Sequence, residues 1–317
     1  MNMNDLFEKG IGVVPPHGQN DLPSIKARPH MTHLILWAVA LVLGLGLVVR
    51  AAETSPTPAD QLGWKMAIHE LTFRKFPLYE AMDKTAALGL KYMSLSASIP
   101  LEGTNTVSSV NLSDQQIHAI KEHAAAKGIK FVNAYVDLPA QEAQCRKAFE
   151  FARKMGLDTL VGEPAPKALD TVEKLCKEYN VRVAIHDHPK PSCYWNPQNV
   201  LDAIKGRSPL LGACADTGHW VRSGLDPVEC LKTLQGHVFC LHFKDLNEKS
   251  RTAHDVPWGT GVSQAKAMMT ELKRQGFHGA FCVEYEYHWD NSSPEIAECA
   301  KFFDQTCAEL APHPSQP

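Results

Sequence analysis

The sequence lacks the patterns that identify several common functional classes. No stretch is rich in Lys and Arg, and the net charge of the 317 residues is −3, so the chain offers no extended basic surface for nucleic acid. No GxGxxG motif follows the first predicted strand, which argues against a dinucleotide-binding fold. The composition, with 44% hydrophobic and 21% charged residues, is typical of a globular protein with a sizeable core.

The nine cysteines contain no CxxC pair. Cys214 and Cys240 lie inside apolar runs, where a thiol behaves as a small hydrophobic group. We therefore predict buried free thiols. One or two disulfides, involving Cys193, Cys299 or Cys307, are the alternative if the protein is exported.

The N-terminal part contains one long apolar run, residues 34–49. Its sixteen residues are fewer than the about 20 that a membrane span needs, and a small-x-small cleavage pattern follows at 49–51. We predict that residues 1–52 are a leader with a signal peptide and that 53–62 are a linker. This implies an exported protein, periplasmic or extracellular. Membrane anchoring through an uncleaved 34–49 segment is the alternative.

From residue 63 onward, strand and helix patterns alternate eight times. Short apolar runs predict strands that are buried on both faces, as in a parallel sheet. The predicted strands are 66–73, 90–95, 130–138, 159–163, 181–188, 211–216, 238–244 and 280–284, and the predicted helices are 78–88, 113–128, 140–155, 167–179, 226–235, 263–275 and 294–310. Eight such units predict an α/β fold, a (β/α)8 TIM barrel over 63–311, followed by a disordered tail at 312–317.

Several predicted strands end in acidic residues or histidines. These residues are Glu163, His186, His188, Asp216, His242 and Glu284. A parallel barrel brings the carboxyl ends of its strands together, so we expect them to surround one point. Three clustered carboxylates would repel one another unless a cation neutralised them. We therefore predict one divalent metal ion (Mn, Mg, Co or Zn), held by Glu163, Asp216, His242 and Glu284.

The order of the motifs VxE, ADTGHW, LHFKD and VEYE, with WGTG between the last two, resembles the xylose isomerase-like TIM barrel superfamily. It is most similar to the sugar phosphate isomerase/epimerase group, which includes ketose 3-epimerases and inosose dehydratase-like enzymes. The resemblance covers about 60–310. It implies that Glu163 and Glu284 are metal ligands that also form the catalytic acid/base pair. It also implies that His186, His188 and His219 contact the substrate or support the ion.

Three further residues are candidate substrate contacts. His69 ends the first strand, and Lys244 follows His242 in the LHFKD motif. Trp258 opens the WGTG loop and would form a wall of the sugar pocket. The structural alternatives are a barrel-mouth residue for His69, an ion pair with Asp245 for Lys244, and packing of its own loop for Trp258.

The resemblance implies a metal-dependent sugar isomerase or epimerase. One glutamate would remove a proton next to a carbonyl, and the other would return a proton to the opposite face. The same first step would serve an exported lyase or hydratase acting on keto-sugars or keto-glycosides, and a non-catalytic sugar-binding barrel is a further alternative. The expected partner is a small sugar and not nucleic acid. Barrels of this group often dimerise, so a homodimer is one expected state.

A nuclease of the endonuclease IV type, which belongs to the same superfamily, is disfavoured. Asp216, His219, His242 and Asp255 would suit its zinc ions in part. However, strand three ends in Tyr135-Val-Asp137 without a histidine, and Pro257 stands where a second histidine would be needed.

Overall fold

The computed structural model describes residues 55–102 and 105–312. The predicted leader 1–52, with its apolar run, and nearly all of the predicted tail lie outside these residues. Within the described part, no helix has the length and apolar character needed to cross a membrane.

Strands and helices alternate along the described chain. The strands are β1 (Trp64–His69), β2 (Tyr92–Leu95), β3 (Ser98–Glu102), β4 (Asn105–Ser108), β5 (Lys130–Tyr135), β6 (Thr159–Gly162), β7 (Arg182–His186), β8 (Leu211–Asp216), β9 (Val238–Phe243), β10 (Asp245–Leu246), β11 (Asp255–Val256) and β12 (Gly279–Val283). The helices are α1 (Pro58–Leu62), α2 (Leu78–Ala87), α3 (Asp114–Ala126), α4 (Glu142–Met155), α5 (Leu169–Tyr179), α6 (Pro197–Ile204), α7 (Thr217–Arg222), α8 (Pro227–Thr233), α9 (Ala265–Arg274) and α10 (Ser293–Leu310).

Eight parallel strands close into a barrel in the order β1, β12, β9, β8, β7, β6, β5, β2, with β2 pairing back onto β1. The predicted (β/α)8 barrel is therefore confirmed. Two antiparallel hairpins, β3 with β4 and β10 with β11, stand outside the barrel wall. The first hairpin lies partly within 100–112, for which the sequence predicted neither a strand nor a helix.

The barrel wall separates two apolar layers. The inner layer consists of small side chains, contributed by Ala67, Val161, Ala184, Cys214, Cys240, Ala280 and Cys282. Larger side chains from the opposite strand faces, such as Phe243 and Phe281, pack against the helices. Partly buried larger side chains, among them Tyr135 and Phe239, pack against the small inner residues and help to fill the narrow barrel.

Local sequence signals explain most helix boundaries. At the start of α3, a capping box forms: Ser113 Oγ accepts a hydrogen bond from Gln116 N at 3.2 Å, and Ser113 N donates to Gln116 Oε1 at 2.9 Å. Helix α4 ends at Gly156, whose φ of 79° is left-handed. Helices α6 and α7 were not predicted. All nine cysteines are free, and eight of them are buried, as the thiol prediction stated.

Candidate active site

Six predicted site residues continue the inner face of the barrel wall. Side chains two positions apart on a strand point to the same face. Each site residue follows a residue of the small inner layer by two positions: His69 follows Ala67, Glu163 follows Val161, His186 follows Ala184, Asp216 follows Cys214, His242 follows Cys240, and Glu284 follows Cys282. The period of the strands therefore directs these side chains toward the carboxyl-terminal mouth of the barrel.

Four of these side chains, those of His186, Asp216, His242 and Glu284, form a buried group that could hold a metal ion. One ligand atom of each lies within 4.8 Å of the others. His242 Nδ1 is 3.1 Å from Glu284 Oε2 and 3.2 Å from His186 Nε2. Metal–ligand bonds of about 2.0–2.2 Å place opposite ligand atoms about 4 Å apart. The group is thus close to the size of a coordination shell.

The two histidines of this group each have a buried ring nitrogen without a hydrogen-bond partner, His186 Nδ1 and His242 Nε2. Their other nitrogens, His186 Nε2 and His242 Nδ1, are the ones that contact members of the group. Unpartnered polar atoms are uncommon in protein interiors because losing contact with water is costly. Imidazole nitrogens and carboxylate oxygens are also the ligands that zinc and related divalent ions accept. The donor set therefore fits a hard or borderline divalent ion.

The protonation states of the group suit metal binding. Burial lowers the pKa of His186 to about 4, so its ring is neutral near pH 7. Burial would favour a neutral Asp216, but His219 and Lys244 lower the pKa of this carboxyl below its usual range. Burial also opposes the charge of Glu284, but Lys244 lowers the pKa of this carboxyl below its usual range. Neutral imidazoles and charged carboxylates are the forms that bind metal ions.

Lys244 lies at the centre of the carboxylates. Its Nζ is 2.7 Å from Glu284 Oε2, 3.0 Å from Asp216 Oδ2 and 2.9 Å from Glu286 Oε2. The lysine side chain is 0% exposed. Burial opposes its charge, but the surrounding carboxylates raise the pKa of Lys244 well above its usual value. The alternative pairing of Lys244 with Asp245 is therefore wrong.

An outer set of charges supports this centre. Arg222 Nη1 donates to Glu286 Oε2 at 2.9 Å, and Arg222 Nη2 lies 3.3 Å from Asp255 Oδ2. Burial raises the pKa of Asp255 to about 7. Arg222 and Glu286 were not among the predicted site residues. Glu286 was detectable, because it is two positions after Glu284 in the VEYE motif, whereas Arg222 belongs to the unpredicted helix α7.

Glu163 lies apart from the four-residue group. Its Oε2 is 2.6 Å from His188 Nδ1, and its Oε1 accepts a hydrogen bond from Ser192 Oγ. Ser192 belongs to the loop after β7, so this loop positions the carboxylate. The assignment of Glu163 as a metal ligand stays a prediction, and His186 takes the fourth place in the group instead.

The remaining predicted histidines border the group. His69 Nε2 is 3.6 Å from Glu284 Oε1, and His69 Nδ1 is 3.1 Å from Ser94 Oγ. His219 Nε2 is 3.4 Å from Asp216 Oδ2, and its ring stacks on that of His188 with centroids 5.2 Å apart. Both residues are therefore within reach of a ligand held at the group, and their contacts with substrate stay predictions.

Trp258 lies in the outer apolar layer rather than at the mouth. Its ring packs against Phe243, with centroids 4.7 Å apart, and it is 2% exposed. The loop that it opens is held by Asp245, whose carboxylate accepts hydrogen bonds from the backbone N–H groups of Gly259, Gly261 and Ser263. This arrangement matches the packing alternative for Trp258, and its role in substrate binding stays a prediction.

Comparison with known proteins agrees with this architecture. Residues 82–306 match the family described as xylose isomerase-like TIM barrel. An uncharacterized protein from Parabacteroides distasonis has 33% sequence identity and a TM-score of 0.61, and the match covers 77% of this chain and 99% of that protein. None of the curated proteins is detectably similar in sequence.

Two more distant structures share the fold. One is an L-ribulose 3-epimerase with 14% identity and a TM-score of 0.60, for which the match covers 80% of this chain and 99% of the epimerase. The other is a xylose isomerase-like TIM barrel protein from Mycobacterium smegmatis in complex with magnesium, with 14% identity, coverage of 79% and 98%, and a TM-score of 0.62. By its match over 82–306 and its closed eight-stranded barrel, this chain belongs to the xylose isomerase-like TIM barrel family.

Proposed function

We propose that this protein is a divalent-metal-dependent sugar isomerase or epimerase that moves a proton next to a carbonyl group. The observation that carries the proposal is the buried group of His186, Asp216, His242 and Glu284 at the barrel mouth, in which one nitrogen or oxygen atom of each residue lies within 4.8 Å of the others. The family contains ketose epimerases, and a structural neighbour of the same fold is a 3-epimerase.

Asp216, His242 and Glu284 would hold the ion, since they belong both to the sequence-predicted set and to the buried group. Two residues are candidates for the fourth ligand. His186 belongs to the buried group, and Glu163 is the ligand that the family resemblance implies. When bound, the ion would polarise a substrate carbonyl and stabilise the negative charge that develops on its oxygen.

The two glutamates are the residues that would move protons. Glu284 Oε1 lies 3.6 Å from His69 Nε2, while its Oε2 contacts Lys244 and His242. Glu163 extends from a different strand and has hydrogen-bonding partners of its own. Carboxylates that reach a substrate carbon from two strands can remove a proton on one face and return one on the other. His69, His219 and Lys244 would orient the sugar hydroxyl groups.

The test combines metal analysis with isotope exchange. The purified protein is analysed for bound divalent ions and then incubated in D2O with a panel of ketoses and 3-keto-glycosides. We expect about one ion per chain, and deuterium at a carbon next to the carbonyl. Product analysis separates epimerisation from the elimination of a β-substituent, since both begin with the same proton removal.

Glu284→Gln is the decisive variant, and Glu122→Gln is its control because Glu122 is an exposed residue of α3 whose side chain pairs with His118. We expect Glu284→Gln to reduce exchange by about 100-fold to 10,000-fold, the usual contribution of a general acid or base, and Glu122→Gln to leave it unchanged. Absence of both bound metal and exchange in the unaltered protein would contradict the proposal.

A further inference from the structure

Lys244 shares two of its carboxylate partners with the proposed metal site. Its ammonium group contacts Asp216 Oδ2 and Glu284 Oε2, and both residues belong to the four-residue group. A buried lysine that is 0% exposed is uncommon, because transferring an ammonium from water is costly unless opposite charges surround it. Here three carboxylates do so.

The fold makes specific room for this lysine. Thr217 Oγ1 accepts a hydrogen bond from Lys244 N at 2.8 Å and donates one to Lys244 O at 2.9 Å. A Cβ atom added to Gly218 would lie 2.8 Å from Lys244 Cδ and 2.9 Å from its Cβ. The glycine of the ADTGHW motif therefore leaves the passage through which the lysine stem reaches the carboxylates.

An ammonium in this position and a divalent ion at the group cannot both bind the same carboxylate oxygens at full strength. The two cations would be only a few ångströms apart, and like charges repel strongly in a poorly hydrated interior. The lysine neutralises part of the carboxylate charge without any ion. Binding of an ion must therefore compete with the bonds that Lys244 makes to Asp216 and Glu284.

Glu286 offers the ammonium a partner outside the group. Its Oε2 lies 2.9 Å from Lys244 Nζ and 2.9 Å from Arg222 Nη1, and its backbone N–H donates to Asp255 Oδ2 at 3.2 Å. We propose that Lys244 is the built-in counter-cation of the metal site, which a divalent ion displaces from Asp216 and Glu284, with Glu286 holding the displaced ammonium. This inference rests on the proposed metal-dependent function.

The experiment measures the affinity of the full chain for Mn²⁺ after removal of bound metal. Free Mn²⁺ is followed by its electron paramagnetic resonance signal. We expect Lys244→Met, which keeps the stem and removes the charge, to bind Mn²⁺ at least tenfold more tightly than the unaltered chain. Lys190→Met is the matched control, because Lys190 Nζ lies 3.8 Å from the Trp195 ring centroid in the loop after β7, and we expect its affinity within twofold.

Glu286→Gln gives the opposite change and tests the second half of the proposal. Without this carboxylate the ammonium depends more on Asp216 and Glu284, so we expect Mn²⁺ to bind at least threefold more weakly. When Lys244→Met is already present, adding Glu286→Gln should change the logarithm of the Mn²⁺ affinity by less than half as much as it does in the unaltered chain. If Lys244→Met does not fold without metal, Glu286→Gln alone carries the test, and an unchanged or higher affinity overturns the proposal.

The outcomes separate this inference from the proposed function. If the unaltered chain binds Mn²⁺ and Lys244→Met binds it equally or more weakly, the counter-cation role is overturned and the metal-dependent function stands. If only the variant binds Mn²⁺, the ion does not displace Lys244, so both the displacement and the metal dependence of the unaltered chain are overturned. Absence of binding to both chains overturns both.

Discussion

The charged side chains at the two ends of the barrel differ in their exposure to solvent. At the amino-terminal end, Lys65 and Lys130 are exposed where their strands begin, and Arg182 pairs with Asp158 at 3.3 Å beside a cavity of about 340 Å³. At the carboxyl-terminal end, Lys244, Asp216 and Glu284 are buried and Glu286 is partly buried, and the three carboxylates share the one ammonium group. Water stabilises the first set at no cost to the fold, whereas the second set must be held against desolvation.

This difference indicates which end of the barrel carries the functional site. Stability alone does not require acids, histidines and a lysine in the interior, because apolar side chains of similar volume would pack there at lower cost. Polar atoms left without partners, such as His242 Nε2, add to that cost. Among the described residues, such groups gather at the carboxyl-terminal mouth, and a fold that does this is organised for binding or catalysis at that end.

The largest effect is expected for Glu163→Gln at the carboxyl-terminal end. The amide keeps the shape of the side chain but cannot act as a base, so we expect deuterium exchange to fall by about 100-fold to 10,000-fold. Affinity for Mn²⁺, measured on the same variant, identifies the fourth ligand. A loss of tenfold or more assigns it to Glu163, and an unchanged affinity assigns it to His186. Unchanged exchange would remove Glu163 from the acid/base pair.

The next effect is a loss of stability at the amino-terminal end without a loss of chemistry. Trp64 begins β1, packs against Phe281 with centroids 5.0 Å apart, and donates from Nε1 to the Phe277 carbonyl at 2.8 Å. Replacing a buried tryptophan with alanine typically lowers the free energy of unfolding by about 3–5 kcal/mol. We expect Trp64→Ala to show this loss in urea unfolding and to retain its exchange rate at temperatures where it is folded. A loss of activity in the folded variant would weaken the contrast between the two ends.

The smallest effect is expected for Lys130→Ala, which removes one of the exposed charges at the same end. Lys130 is the first residue of β5 and its side chain is exposed. Surface substitutions of this kind usually change the free energy of unfolding by less than about 0.5 kcal/mol. Thermal unfolding and isotope exchange should both match those of the unaltered chain. A large change in either would show that charge at this end also has a function.

The part of the site that could be predicted depends on a simple geometric rule. Apolar runs identified the eight barrel strands, and the carboxyl ends of parallel strands meet at one mouth. This was sufficient to place Asp216, His242 and Glu284 together. The rule needs only the alternation of side chains between the two faces of a strand, which holds whatever the sequence of the strand.

The other parts of the site depend on the three-dimensional course of loops and short helices, which the alternation of side chains along a strand does not reveal. Ser192 reaches Glu163 only through the course of the loop after β7. Arg222 reaches Glu286 from α7, a six-residue helix that contains a glycine and follows β8 without a break. Trp258 is a residue type suited to sugar binding. However, the direction of its loop is set by the Asp245 carboxylate, which accepts hydrogen bonds from the backbone N–H groups of Gly259 and Gly261. Tertiary contacts decided these three positions.

The direct junction between β8 and α7 also limits how this barrel can diversify. Asp216 ends the strand, caps the helix through a hydrogen bond from His219 N at 2.9 Å, and contributes its other oxygen to the buried group. No loop separates the two elements, so an insertion here would disturb the helix start and the site together. New substrate preferences would therefore arise more readily in the later parts of the segments after β7 and β12, beyond Ser192 and Glu286, where the chain can lengthen farther from the site residues.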